Sequence, residues 1–156
     1  MRIVAIFVLI LVMQANKVAA NDSVTPKPGP DLKPQQVVEI ILEALARNDS
    51  PYKNAGIEIT FNFAAPSNKV NTGPLNRFIG LLHSESFIDM IDHQTSEISE
   101  VVLKENKAYL LVSLVSKNNR EVRYAFQLGL QKTGEYNGMW MTEAVSPLSD
   151  SGKIGA

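Results

Sequence analysis

Between residues 96 and 145 apolar and polar side chains alternate with a period of two. The stretch Tyr124-Ala125-Phe126-Gln127-Leu128-Gly129-Leu130 carries a large apolar residue at every second position. That period marks a strand with one face against a core. The pattern predicts four strands, over residues 94–103, 107–116, 120–131 and 139–145. Glu105-Asn106 makes one tight turn and Lys117-Asn118-Asn119 another, since Asn tolerates positive φ. Residues 132–138 form a looser loop, and Pro147 ends the last strand. In the third strand Val122, Tyr124, Phe126, Leu128 and Leu130 point inward, with Glu121, Arg123 and Gln127 on the surface. The second strand is apolar on both faces, with Ala108, Leu110, Val112 and Leu114 on one and Tyr109, Leu111 and Val115 on the other.

Upstream the period changes to that of a helix. Pro34 suits a first helical position, where its missing N–H costs nothing. Val37, Ile40, Ile41, Ala44 and Leu45 then form an amphipathic stripe that closes at Arg47-Asn48. Thr72-Gly73-Pro74 opens another helix, with Leu75, Phe78, Ile79 and Leu82 on one face and His83-Ser84 at its end. A short helical turn holds Phe87, Ile88, Met90 and Ile91. Between these helices Ile57, Ile59, Phe61 and Phe63 alternate with Glu58, Thr60 and Asn62, which by pattern is a strand.

The first residues obey a different grammar. Met1-Arg2, the apolar run 3–13 and the small residues Val18-Ala19-Ala20 are the three parts of a secretory signal peptide over residues 1–20. Its apolar run is too short to span a bilayer. Export to the periplasm or the extracellular space follows, with no membrane attachment after cleavage. Residues 21–33 carry Pro26, Pro28 and Pro30 and read as an extended linker. Residues 34–147 form the domain, and residues 148–156 a disordered tail. The whole chain has a net charge of −1, and losing Arg2 and Lys17 makes it slightly more acidic. That argues against a nucleic-acid partner. The absence of cysteine excludes disulfides, a thiol nucleophile and thiolate metal sites.

Helices followed by an antiparallel meander are an α+β order. This order resembles the NTF2-like superfamily. Asn48-Asp49, Ala55-Gly56-Ile57, Phe61-Asn62-Phe63-Ala64-Ala65-Pro66, Asn68, Thr72-Gly73-Pro74, Phe78 and Trp140-Met141-Thr142 are similar to DUF4864-type domains of uncharacterised function, over residues 34–145. The resemblance implies a fold only: a cone in which N-terminal helices pack on one curved antiparallel sheet of about four strands. It also implies that residues 54–65 form a helix closing the cone, against their alternating pattern.

A cone of this kind can hold a carboxylate–histidine pair for acid–base chemistry. The candidates are Asp92 and His93, near Asp89 at the entry to the sheet, and Glu143 on the last strand. On a concave apolar face Glu143 would have a raised pKa. More simply, His83 is a helix-end residue, and Asp92 and His93 are surface groups. Two histidines ten residues apart match no metal-ligand spacing, and no cofactor motif is present. Tyr124, Phe126, Met141 and Glu143 are the expected wall of a ligand pocket.

The expected function is therefore a binding or protein-interaction module for a small apolar ligand or an unknown protein. The alternative is a small lyase or isomerase acting on an apolar compound in the cone. Tyr109, Leu111 and Val115 need cover, and a homodimer packing sheet against sheet would supply it.

Overall fold

A computed structural model describes residues 25–148. The signal peptide expected at 1–20, the linker's first residues and residues 149–156 lie outside the described residues. The architecture is mixed α+β, with the helices preceding one open four-stranded antiparallel sheet. Among the described residues, no helix is long and apolar enough to cross a membrane.

Helix α1 spans Pro34–Ala46, and the Gln36 side chain accepts a hydrogen bond from the Lys33 N–H just before it. It buries Val37, Val38, Ile41, Leu42 and Leu45. That stripe is wider than the one read from sequence, because α1 packs on both the sheet and a second helix, α2 (Ala55–Asn62). The strand-like alternation of α2 has the same cause. The helix is wedged between α1 and α4 (Leu75–Leu82), so apolar groups are useful on more than one side. Ile57 is fully buried, while Phe61 turns to α4, its ring centroid 5.1 Å from that of Phe78.

The α1–α2 junction is built by Asn48, which is buried. Its Oδ1 accepts the Ile57 N–H at 3.1 Å, and its Nδ2 donates to Asp49 Oδ1 at 2.8 Å. Asp49 in turn accepts the Asn54 N–H, holding Asn54 at a positive φ of 64°. Gly56 then comes so close that its N–H donates to the Asn48 carbonyl at 2.9 Å.

Helix α3 (Pro66–Thr72) has no counterpart in the sequence reading. Apart from Pro66 and the exposed Val70 its residues are polar, and none is buried, so no apolar stripe announces it. The usable signals were Pro66 at its first position and the i, i+4 pair Asn68–Thr72, whose side chains hydrogen-bond at 2.8 Å. Lys69 fastens its outer side, with the ammonium 5.2 Å from the Phe61 ring centroid and 5.4 Å from that of Tyr136.

The strands are β1 (Thr95–Lys104), β2 (Lys107–Val115), β3 (Glu121–Leu130) and β4 (Trp140–Leu148), paired in chain order. Pro147 does not end β4. It pairs opposite Tyr124 on an edge strand and Leu148 opposite Arg123, so Leu148 belongs to the sheet rather than to the tail. Ala108, Leu110, Val112, Leu114, Tyr124, Phe126 and Leu128 form the buried, helix-facing side, as their alternation requires. Asp89, in a short 3-10 turn (Ile88–Met90), pairs with Arg120 and ties that turn to the start of β3.

Candidate functional site

The helices do not fill the space over the β3–β4 edge. A cavity of about 230 Å³ remains there. Its walls are Ile41 of α1, Phe78, Leu81 and Leu82 of α4, Phe87 and Met90 of the following turn, and Phe126 of β3. Polar groups enter from α2, α3 and β4: Thr60, Asn68, Asn71, Thr72 and Thr142. An apolar wall with a few polar groups is the usual make-up of a small-molecule site.

Most of those polar groups are already used. The Thr60 hydroxyl donates to the Gly56 carbonyl at 2.8 Å, and the Thr72 hydroxyl donates to Asn68 Oδ1. Asn68 Nδ2 donates to the Thr142 carbonyl at 3.3 Å, and Asn71 Nδ2 to the Ser67 carbonyl at 3.2 Å. The Thr142 backbone is also committed: its N–H donates to the Phe63 carbonyl, and its carbonyl accepts the Ala65 N–H, in a parallel bridge at Ala64. The Thr142 hydroxyl differs. The residue is 5 % exposed, and its Oγ1 is a buried side-chain atom with no hydrogen-bond partner. Such a group costs about 1–3 kcal/mol of desolvation, so one left open in a native structure needs an explanation.

Of the four expected pocket residues, Phe126 and Glu143 touch this cavity, while Tyr124 and Met141 do not. Tyr124 is core. It stacks on Phe87 at 6.2 Å between centroids, and its hydroxyl donates to the Ser86 carbonyl at 3.1 Å. Burial, with Asp89 nearby, pushes its pKa up to about 12 against the opposing pull of Arg120. Met141 pairs opposite Gly129 and alternates with Trp140 and Thr142 onto the other side of the strand, where it is fully buried.

Glu143 corrects the expectation made for it. Gln127 pairs with Ala144 and Leu128 with Thr142, so Glu143 is the extra residue of a β-bulge. Its carboxylate lies on the sheet's outer face, over Gly129, where an added Cβ would sit 2.0 Å from Oε1. Lys107 Nζ donates to Oε1 at 2.6 Å and Gln127 Nε2 to Oε2 at 2.9 Å. Burial alone would raise this carboxyl. The hydrogen bonds from Lys107 and Gln127, with the Lys107 charge, outweigh it and hold the pKa below its ordinary value. The resulting stability is present above the unfolded pKa and is lost as pH falls through the depressed one. Glu143→Gln should flatten the acid side of the stability curve, below the ordinary carboxylate value of 4.5. Urea midpoints of both proteins across that range measure this, and parallel curves would contradict it.

His93 is buried rather than on the surface, and its Nδ1–H donates to the Met90 carbonyl at 2.8 Å. It lines a different, more open cleft of about 320 Å³ between α1 and the start of β1. Asp92 beside it is exposed, at a positive φ of 55°, and its N–H donates to the Leu45 carbonyl. Glu143 is therefore not brought to Asp92 and His93. His83 lies at the end of α4, as expected, with Nε2 3.2 Å from Asn54 Oδ1. The buried polar residue of this cavity that the strand pattern does not single out is Thr142. A threonine on an alternating strand is ordinary, and its lack of a partner is a property of the packing.

No protein-family model matches the chain, and comparisons with curated proteins and with solved structures give no match either.

Proposed function

We propose that this protein is a binding module for a small, mostly apolar molecule carrying one hydrogen-bonding group. The apolar part lies against Phe78, Leu81, Leu82 and Phe126, and the polar group meets the Thr142 hydroxyl. The observation that carries this reading is a mostly apolar cavity whose lining includes Thr142, a buried threonine with an unpartnered hydroxyl. The lyase or isomerase alternative needs two convergent titratable groups. Among the described residues lining the cavity, Glu143 is the one titratable side chain, and its carboxylate is turned to Lys107. With this reading go an NTF2-like cone, supported by helices preceding a four-stranded meander, and export directed by residues 1–20.

The test separates stability from binding. Thr142→Val keeps the shape and removes the unsatisfied hydroxyl, so stability should stay level or rise by about 1 kcal/mol. The wild type should bind octanol or octanone about tenfold more tightly than octane, and the variant should lose that preference. Calorimetric titration of each compound into both proteins, with urea unfolding alongside, gives both readings. A destabilised variant would mean that the hydroxyl holds the fold. Equal affinity of the wild type for octane and octanol would remove the polar contact from the proposal.

A further inference from the structure

Strand β1 is the free edge of the sheet, and of its ten residues Ile98 alone is even partly buried. Val101, Val102 and Leu103 are exposed one after another, Leu103 to 63 %. Tyr109, which pairs with Val102 on β2, is exposed as well. Adjacent apolar side chains on an unpaired edge are a template for another strand, and most proteins avoid them.

The order of charges along this edge says which strand fits. Past the bulge between Ile98 and Glu100, β1 alternates regularly. Glu100, Val102 and Lys104 pair with Leu111, Tyr109 and Lys107 and so share the sheet's outer face. Val101 and Leu103 pair with Leu110 and Ala108 on the helix side. We propose that β1 pairs antiparallel with β1 of a second copy of this chain, with the two-fold axis at Val102. Glu100 then lies opposite Lys104 of the second copy, and the reverse pair forms across the axis. Val101 lies opposite Leu103, and Val102 opposite itself.

Every pair in this register joins side chains of the same face, as antiparallel pairing requires. An axis at Val101 or Leu103 sets a charged residue against Val102. An axis between residues sets outward side chains against inward ones. Of these axes, the Val102 axis alone lets Glu100 and Lys104 each meet an opposite charge. It also extends the Tyr109–Val102 row across the axis into four apolar residues on the outer face. The two sheets become one of eight strands. The contact is short, so the dimer belongs with small, reversible interfaces.

Sedimentation of the purified protein over a micromolar series should show a monomer–dimer equilibrium. Glu100→Lys alone, or Lys104→Glu alone, turns two symmetry-related attractive pairs into repulsive ones and should weaken the dimer about tenfold. The double variant Glu100→Lys/Lys104→Glu should restore it. Both positions are exposed, so folding is spared. The chain has no cysteine, so Val102→Cys gives one thiol per copy, which should oxidise to a cross-linked dimer well before the exposed control Val70→Cys. A monomer throughout the series, a dimer that neither single variant weakens, or one that the double variant fails to restore would each overturn the proposal.

Discussion

Gly56→Ala should destabilise the protein by about 3 kcal/mol, lowering its Tm by roughly 10 °C. Taken alone, the exchange would be favoured, since alanine has the higher helix propensity, though by less than the interior value of about 1 kcal/mol because Gly56 lies in the first turn of α2. Packing reverses the sign. A Cβ at this position would lie 2.2 Å from the Ala44 carbonyl oxygen, 2.8 Å from its carbon and 2.9 Å from the Asn48 Cα. All three are backbone atoms, so no side chain can swing aside, and α1 and α2 must separate. Separation also stretches the Gly56 N–H bond to the Asn48 carbonyl and the Ile57 N–H bond to Asn48 Oδ1. Ala44→Gly cannot rescue the variant, because the clash is with the carbonyl rather than the methyl. Thermal unfolding of both proteins measures the effect. A Gly56→Ala protein as stable as the parent would mean that the two helices do not approach this closely.

Phe126→Ala should cost about 3–5 kcal/mol, the range for truncating a buried aromatic. Phe126 is buried on the helix face of β3, and it also forms one wall of the cavity. Truncation therefore joins new empty volume to space already present, and the surroundings have little reason to collapse into it. Its neighbour Gln127 provides the contrast. The alternation places it on the surface, but it is half-buried and donates to Glu143, so Gln127→Ala should cost about 1 kcal/mol. Urea unfolding of the two variants separates the faces. Equal losses would mean that the register of β3 is wrong.

The sheet was legible because its alternation is a local property: β2 buries Ala108, Leu110, Val112 and Leu114 and β3 buries Tyr124, Phe126 and Leu128, while Val122 and Leu130 at the ends of β3 are half-buried. Helix α2 was not legible from pattern. Ile57, Ile59 and Phe61 alternate because the helix is packed from several sides, and the residues that force it helical, Asn48 and Gly56, act through contacts rather than periodicity. Helix α3, whose one large apolar residue Val70 is exposed, left no apolar stripe. The acid–base candidates failed for a geometric reason. A single bulge residue decides where the Glu143 carboxylate goes, and Gly129 across the strand pair makes room for it. The cavity was half legible. The strand pattern points to Phe126, whereas Phe78 and Leu82 read only as part of a helix face and Leu81 falls outside that stripe; which apolar residues border empty space depends on how the helices fail to meet.

In the proposed function, the space between α4 and the β3–β4 edge receives a ligand whose polar group reaches Thr142. Methyl NMR of the wild-type protein during titration with octanol tests it most directly. The Thr142, Leu81 and Leu82 methyls should shift together and saturate at one ligand concentration, with Val112 and Leu114 deeper in the sheet little changed. Shifts confined to Leu111 and Val102 on the outer face, or a cavity that stays silent to saturation, would contradict it.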